Sequence, residues 1–334
     1  MIRTAADPSR PAILFVTYTR IGDAVLSTGV LAELTRRCPT ARISVAASPL
    51  TAPLFQAHPQ VERVIILRKR PYLGHWRDLW LAAAPRRWDL VVDLRRSAMA
   101  WLVRTKRRLV PDKGSEREHR LATLARMLNA SGGLQPTCWI DPAAQSRAAA
   151  LLPADRPVLA VAPTANSRAK SWPAVHYADL VRRLTAEGAP LAEARVLVTG
   201  GPDEAEQARP VLEAIPPDRR IDALGLDLPT TAAVFARCRL YVGNDSGLTH
   251  LAAAAGTPTV ALFGPTDART YGPTTPASRI VHTPESAGTL RERARENPSQ
   301  NHRLMANLEV ATVETAVRDL LAQRCGHHEP EDAT

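Results

Sequence analysis

Four polar clusters pair residue types that bind or activate a substrate. The first is Gly243-Asn244-Asp245-Ser246-Gly247-Leu248-Thr249-His250. It follows a short apolar run and opens a periodic one, so it reads as a strand-to-helix turn. A helix start offers N–H groups without intrahelical partners and a partial positive charge. Gly247 lets the backbone approach an anion and the Ser246 hydroxyl can donate to it, so a phosphate fits here. The competing reading is a plain N-cap, with Asp245 or Ser246 capping an ordinary helix. His250 falls one turn further in, either facing a ligand or serving as a structural imidazole.

The second cluster, Ala162-Pro163-Thr164-Ala165-Asn166-Ser167-Arg168-Ala169-Lys170-Ser171-Trp172-Pro173, is rich in hydroxyls and carries two cations. Lys170 is a point charge suited to a phosphate, or else a solvated surface lysine. Pro173 suits a first helical turn. The third is Thr19-Arg20-Ile21-Gly22-Asp23. Gly22 gives the turn, and Asp23 either caps the next helix or presents a carboxylate able to take a proton from a substrate hydroxyl. The fourth is Gly200-Gly201-Pro202-Asp203-Glu204-Ala205-Glu206. An acid at this point of a nucleotide-binding domain holds ribose hydroxyls, a role open to Glu204 or Glu206. Otherwise both are favourable first-turn acids. Neither G-x-G-x-x-G nor G-x-x-x-x-G-K-[ST] occurs, so neither a dinucleotide enzyme nor a P-loop ATPase is supported.

Alternating strands and helices must position these clusters. Apolar runs at 13–16, 42–47, 61–67 and 90–94 read as strands, with a helix over 24–37 after the first. Prolines and glycines over 131–157, flanking a short helical stretch, read as a linker, with a boundary near Asp155. The same grammar then restarts. Strands are expected at 158–162, 196–199, 240–242 and 259–263. Helices are expected at 174–186, 203–214, 230–236, 248–255 and 310–323. The class is α/β, two doubly wound parallel-sheet domains over 1–154 and 155–325, with a polar, disordered tail over 326–334. Open α/β sheets bind ligands outside the carboxyl ends of their strands, so a cleft between the two domains is the expected site.

Composition narrows the class. The 334 residues are 45% hydrophobic but only 4% aromatic, so the cores rest on Ala, Val and Leu. Cys38, Cys138, Cys238 and Cys325 are scattered without a C-x-x-C pair, as expected of buried thiols in a reducing, cytoplasmic setting. Residues 1–11 lack the apolar core of a signal peptide, and no run approaches the roughly 18 apolar residues of a membrane span. The net charge of +10 is uneven. Residues 1–130 hold 23 Lys and Arg against 10 Asp and Glu, whereas the remainder holds 20 against 23. The cationic half suits a phosphorylated ligand, an anionic membrane surface or nucleic acid. Nucleic acid is disfavoured because the excess charge is confined to one half of the chain.

In their order along the chain, the motifs resemble glycosyltransferase family nine, the ADP-heptose:lipopolysaccharide heptosyltransferases. The resemblance runs from about Ile13 to Leu321. It rests on Arg20-Ile21-Gly22-Asp23-Ala24-Val25-Leu26, Lys170-Ser171-Trp172-Pro173, Val198-Thr199-Gly200-Gly201-Pro202, and the long run from Asn244 through His250 into Gly256-Thr257-Pro258 and Phe263-Gly264-Pro265-Thr266. It implies a GT-B fold, acceptor domain first and donor domain second. It further implies that Asp23 is the general base of an inverting transfer and that Lys170, with Thr164, holds the donor phosphates. Ser246 and Gly247 would bind phosphate, with His250 beside them and Asp245 near the sugar. Glu206, with Glu204 as rival, would hold the ribose. The implied donor is ADP-heptose, and the implied acceptor is the phosphorylated lipopolysaccharide inner core, an anionic glycolipid that brings peripheral contact with the inner membrane. No D-x-D-like motif points to a metal, and no cofactor is implied. Two departures are visible: Thr17-Tyr18-Thr19-Arg20 ahead of Gly22, and the loop-like segment 284–302 with Arg291, Arg293, Arg295 and Asn301. Alternative readings are the same mechanism with another nucleotide sugar or a non-lipid acceptor, and a non-catalytic anion- or nucleic-acid-binding protein.

Overall fold

The computed structural model describes residues 10–114, 118–152 and 155–325. The expected tail, 326–334, and the segment before Arg10 lie outside these residues. The chain divides into two compact units between Asp141 and Pro142, thirteen residues ahead of the boundary expected from the prolines.

The first unit runs β1 (Ala12–Val16), α1 (Ile21–Arg37), β2 (Arg42–Ala47), α2 (Pro53–Gln56), β3 (Val61–Ile66), α3 (Gly74–Ala83), β4 (Trp88–Asp93), α4 (Met99–Leu102), β5 (Thr105–Leu109) and α5 (Arg120–Leu128). Its strands form one parallel sheet in the order β3-β2-β1-β4-β5. β1 is buried along its whole length, which is why it reads as an unbroken apolar run. α1 begins three residues earlier than expected and takes Asp23 into its first turn. Its Gly29 is a close approach: a β-carbon there would press to 3.2 Å on the backbone of Gln135.

The second unit opens with α6 (Pro142–Leu151), the short helical stretch expected within the linker, which here belongs to the second unit. Its alanine-rich sequence favours a helix. Ala144 and Ala148 are buried, and the Arg147 Nε–H donates to Thr230 Oγ1 at 2.7 Å, so this helix belongs to the second core. There follow β6 (Val158–Ala162), α7 (Ala174–Leu184), β7 (Arg195–Gly200), α8 (Ala205–Ala214), β8 (Arg220–Leu224), α9 (Leu228–Phe235) and β9 (Leu240–Asn244). The unit ends with α10 (Gly247–Ala254), β10 (Thr259–Phe263), α11 (Ala268–Tyr271), β11 (Ser278–His282), α12 (Ala287–Glu296) and α13 (Val310–Cys325). The six strands are parallel, in the order β11-β10-β9-β6-β7-β8.

Segment 284–302 is not the loop expected of it, because it contains α12. The Ser286 hydroxyl caps that helix by accepting the Thr289 N–H at 3.1 Å. Leu290 is its one buried residue, so no apolar period announces it in the sequence.

Candidate active site

In the second sheet the strand order reverses between β6 and β9. Ligands of open α/β sheets gather at such a switch point, beyond the carboxyl ends of the strands. β7 is the next neighbour of β6, so the turns after β6, β7 and β9 stand side by side. Three of the four sequence clusters therefore meet here.

Asn244 ties two of these turns together. It is fully buried at the end of β9. Its Oδ1 accepts the Trp172 backbone N–H at 2.9 Å, and its Nδ2 donates to the Thr164 carbonyl at 3.3 Å. Trp172 is buried as well. Its indole N–H donates to the Leu308 carbonyl at 2.8 Å, and its ring meets Tyr177 edge-on with centroids 4.9 Å apart. These bonds fix the short helical turn Arg168–Lys170 from one side. Lys170 then reaches across to Asp245, with Nζ to Oδ2 at 2.6 Å, and stays 30% exposed while Asp245 is only 7% exposed.

Neither candidate cap behaves as a cap. The Asp245 carboxylate is engaged by Lys170. Ser246 occupies the N-cap position of α10 with extended backbone, φ −147° and ψ 170°, but its side chain makes no capping bond. Its Oγ is buried and makes no hydrogen bond of ordinary geometry, with the Tyr241 hydroxyl as the protein group near it. The amide groups opening α10 thus lack the side-chain acceptor that Asp227, Asp267 and Ser286 give to α9, α11 and α12. Such a terminus accepts an anion. Gly243 is required beneath it, since any β-carbon there would collide with the Tyr241 hydroxyl. His250 is buried one turn into α10, and its backbone N–H reaches the Ser246 carbonyl at 3.5 Å.

The turn after β7 separates the two acids. Glu204 Oε2 accepts the Thr164 hydroxyl at 2.6 Å and the Gly201 N–H at 2.7 Å. It thereby joins Thr164 to the β7 turn. Glu206 is 82% exposed and pairs with Arg209 instead. The structure joins Thr164 to Glu204 and Lys170 to Asp245, with Asn244 tying the two turns, sets Ser246 next to Asp245 without a bond to them, and leaves Glu206 apart.

The first sheet has its own reversal, between β1 and β4. Asp23 stands in the first turn of α1 just after β1, half-buried. Arg20, not Asp23, holds the N-cap position, and it makes no capping bond. The Asp23 carboxylate has no hydrogen bond or ion pair among the described residues, so it is available as a proton acceptor. After β4, buried Asp93 accepts the Arg95 N–H at 3.0 Å and the Ser97 N–H at 2.9 Å. Burial pushes its carboxyl above the usual range, against these bonds. The clasped turn holds Arg96 at φ +56°, a left-handed conformation that non-glycine residues adopt chiefly under functional or packing constraint. Arg96, Lys113, Arg120 and Tyr18 line a hollow of about 100 Å³, together with Asp112, whose carboxylate is paired with Arg126. The Arg120 guanidinium lies 5.8 Å from the Tyr18 ring centre. Arg96, Lys113 and Arg120 carried no motif in the sequence, and only the cationic excess of the first 130 residues pointed to them.

Residues 80–301 match the family model of glycosyltransferase family 9 (heptosyltransferase). The chain belongs to that family. It is a glycosyltransferase, and its two parallel-sheet units are those of the GT-B fold. Lipopolysaccharide heptosyltransferase 2 of Salmonella typhimurium is 26% identical over 310 residues, which cover 80% of this chain and 87% of that one. Lipooligosaccharide heptosyltransferase 2 of Haemophilus ducreyi is 26% identical over 354 residues, 93% of this chain and 99% of that one. Among solved structures, the family 9 transferase of Veillonella parvula superposes with a TM-score of 0.77 at 20% identity, covering 94% and 97% of the two chains. Escherichia coli ADP-heptose lipopolysaccharide heptosyltransferase II gives 0.73 at 22% identity, covering 94% and 99%. Among the described residues, no helix is long and apolar enough to cross a membrane.

Proposed function

We propose that the protein is a cytoplasmic inverting transferase that moves a heptose from ADP-heptose to the inner core of lipopolysaccharide. The observation that carries the donor half is the open N-terminus of α10, where the buried Ser246 hydroxyl makes no hydrogen bond of ordinary geometry and Lys170 stands beside it on Asp245. That arrangement suits a diphosphate. In this reading the backbone N–H groups opening α10, from Gly247 onward, the Ser246 hydroxyl and Lys170 balance the charge of the departing ADP, and His250 supports that turn. Asp245 orients Lys170 and faces the sugar. Glu204, linked to Thr164, replaces Glu206 as the acid for the ribose hydroxyls.

Asp23 accepts the proton of the acceptor hydroxyl as its oxygen attacks the anomeric carbon. The new C–O bond forms on one face while the bond to the β-phosphate oxygen breaks on the other, so configuration inverts and ADP leaves. The cationic hollow beside Tyr18 takes a phosphate or carboxylate of the glycolipid acceptor, in keeping with the charge of the first 130 residues.

The test uses the purified chain, ADP-heptose and a core acceptor lacking the heptose, followed by mass spectrometry. The expected product is the acceptor heavier by one heptose, with inverted anomeric configuration. ADP should raise the melting temperature more than UDP or GDP does at equal concentration. Preferential stabilisation by UDP or GDP, with no transfer from ADP-heptose, would replace this donor by another nucleotide sugar.

A further inference from the structure

Among the described residues, the large apolar side chains left in solvent concentrate on one part of the first unit. Trp101 is 70% exposed, Leu73 67%, Leu102 59%, Leu81 51% and Trp80 42%. They belong to α3 and α4 and to the residue that opens α3. The two helices pack together, and the Trp80 indole N–H donates to the Leu102 carbonyl at 3.2 Å. On α3 the positions Leu73, Arg77, Trp80 and Leu81 fall on one helical face, opposite the buried His75, Leu79 and Ala83. Tyr72 and Leu73 lead into α3 at φ +51° and +58°. Bulky residues avoid this region, yet here it holds a fully exposed tyrosine and a leucine at the tip.

The same face is cationic. Arg77 lies within the apolar stripe. Arg70 pairs with Asp78 at 3.1 Å, Arg104 is exposed directly after α4, and the Arg108 guanidinium sits 5.3 Å from the Trp101 ring centre. Residues 68–108 carry twelve Lys and Arg against three Asp.

We propose that the outer face of α3 and α4 docks on an anionic phospholipid surface. Trp80, Trp101 and Tyr72 are amphipathic rings of the kind that settle at headgroup depth, the leucines enter the acyl boundary, and the arginines reach lipid phosphates. A second copy of the chain could match the apolar area. However, a two-fold contact sets this face against itself, bringing the two sets of Arg70, Arg77, Arg104 and Arg108 together, with Asp78 already paired to Arg70. The inference does not depend on which donor or acceptor the enzyme uses.

The experiment is vesicle flotation of the full chain, with phosphatidylcholine vesicles compared with phosphatidylcholine containing phosphatidylglycerol. Wild type should float with the anionic vesicles, weakly with the neutral ones, and less as salt is raised. Trp80→Ser/Trp101→Ser and Arg77→Glu/Arg104→Glu should each lower the partition coefficient about tenfold or more. Trp80→Phe/Trp101→Phe should still float, but should lose fluorescence quenching by brominated lipid. Sugar transfer to a water-soluble acceptor, measured on the same samples, should be unchanged in all three variants, which separates this inference from the proposed activity and shows that the variants fold. Absence of vesicle binding by wild type, equal binding by the Ser and Glu variants, or a concentration-dependent dimer that those variants abolish would overturn the proposal.

Discussion

The two switch points of this molecule are built to different degrees of completeness. In the second unit Asn244, Trp172, Lys170, Asp245, Thr164 and Glu204 hold one another through side-chain bonds of 2.6–3.3 Å. At the mouth of α10, by contrast, the buried Ser246 hydroxyl makes no such bond. In the first unit Asp23 is unpaired, α1 is uncapped by Arg20, and the cations near Tyr18 surround an open hollow. A site that must receive the same diphosphate every turnover gains from fixed geometry, because no reorganisation is then needed as charge develops. A proton acceptor gains from the reverse: a carboxylate engaged by a cation or by N–H donors is a weaker base. On the proposed reading the contrast gives binding to one unit and proton transfer to the other, and mutation can test each half.

The largest expected effect is at Asp23. Asp23→Asn keeps the shape and removes the base, so kcat should fall by roughly 10²–10⁴-fold. ADP affinity, a property of the other unit, should stay within about twofold. Steady-state kinetics paired with calorimetric titration of ADP checks both. Near-normal turnover would show that the unpaired carboxylate is not the base. Next comes the network itself. Asn244→Ala leaves the buried Trp172 N–H without its acceptor, a loss of about 1–3 kcal/mol. For a unit of this size that lowers the melting temperature by several degrees, and donor KM should rise because Lys170 is no longer positioned. If Asn244→Ala melts normally and binds ADP normally, the second unit is less interlocked than its geometry implies.

How far this contrast was legible in the sequence depended on burial. β1, β6, β9 and β10 are buried throughout and appear as unbroken apolar runs. The edge strands β5, β8 and β11 were not legible. Thr-Lys-Arg-Arg-Leu, Arg-Ile-Asp-Ala-Leu and Ser-Arg-Ile-Val-His are half-exposed and charged, as edges of sheets are. At the site, polar turns after strands marked where Asp23, Lys170 and Ser246 would stand, with glycines in the turns at Asp23 and Ser246 and hydroxyls and cations in the one at Lys170, because turn chemistry is local. What the local sequence did not hold was which way each side chain points. Glu204 and Glu206 are both first-turn acids two residues apart, so they leave the helix on different sides. Asn244 was visible as part of a motif, but its bond to Trp172, 72 residues away, is a tertiary fact.

That ambiguity yields a tenfold-scale prediction. Glu204→Gln should raise donor KM about tenfold, since a charged hydrogen bond to a ribose hydroxyl contributes roughly 1.5–3 kcal/mol. Glu206→Gln, on an exposed pair with Arg209, should change nothing measurable. Titrating ADP against the two variants separates the acids. The reverse ranking would place the ribose on the outer side of α8 and detach Thr164 from donor binding.

The smallest effect concerns how α1, which carries Asp23, is held from behind. His58 is 2% exposed. Its Nδ1 accepts the Gln60 N–H at 3.0 Å, and its Nε2 meets the Thr35 hydroxyl of α1 at 2.9 Å. Thr35 already donates to the Leu31 carbonyl, so the Nε2–H donates to Thr35 and the neutral ring is fully satisfied. A proton on Nδ1 would oppose the Gln60 N–H. Burial holds the His58 pKa down to about 4, from an ordinary 6.5. Between these values the unfolded chain binds a proton that the folded chain refuses. This contribution to stability is therefore complete above pH 6.5 and is lost as pH falls toward 4, by at most about 1.4 kcal/mol per pH unit. Urea midpoints at pH 7 and pH 5 should differ more for wild type than for His58→Gln, which keeps an acceptor but cannot titrate. Trp139, edge-on to His58 with centroids 4.4 Å apart, gives a local fluorescence signal for the same transition. Equal pH dependence in the two proteins would mean that the helix presenting Asp23 is secured without His58, and that the first unit is more tightly braced behind its open face than these bonds indicate.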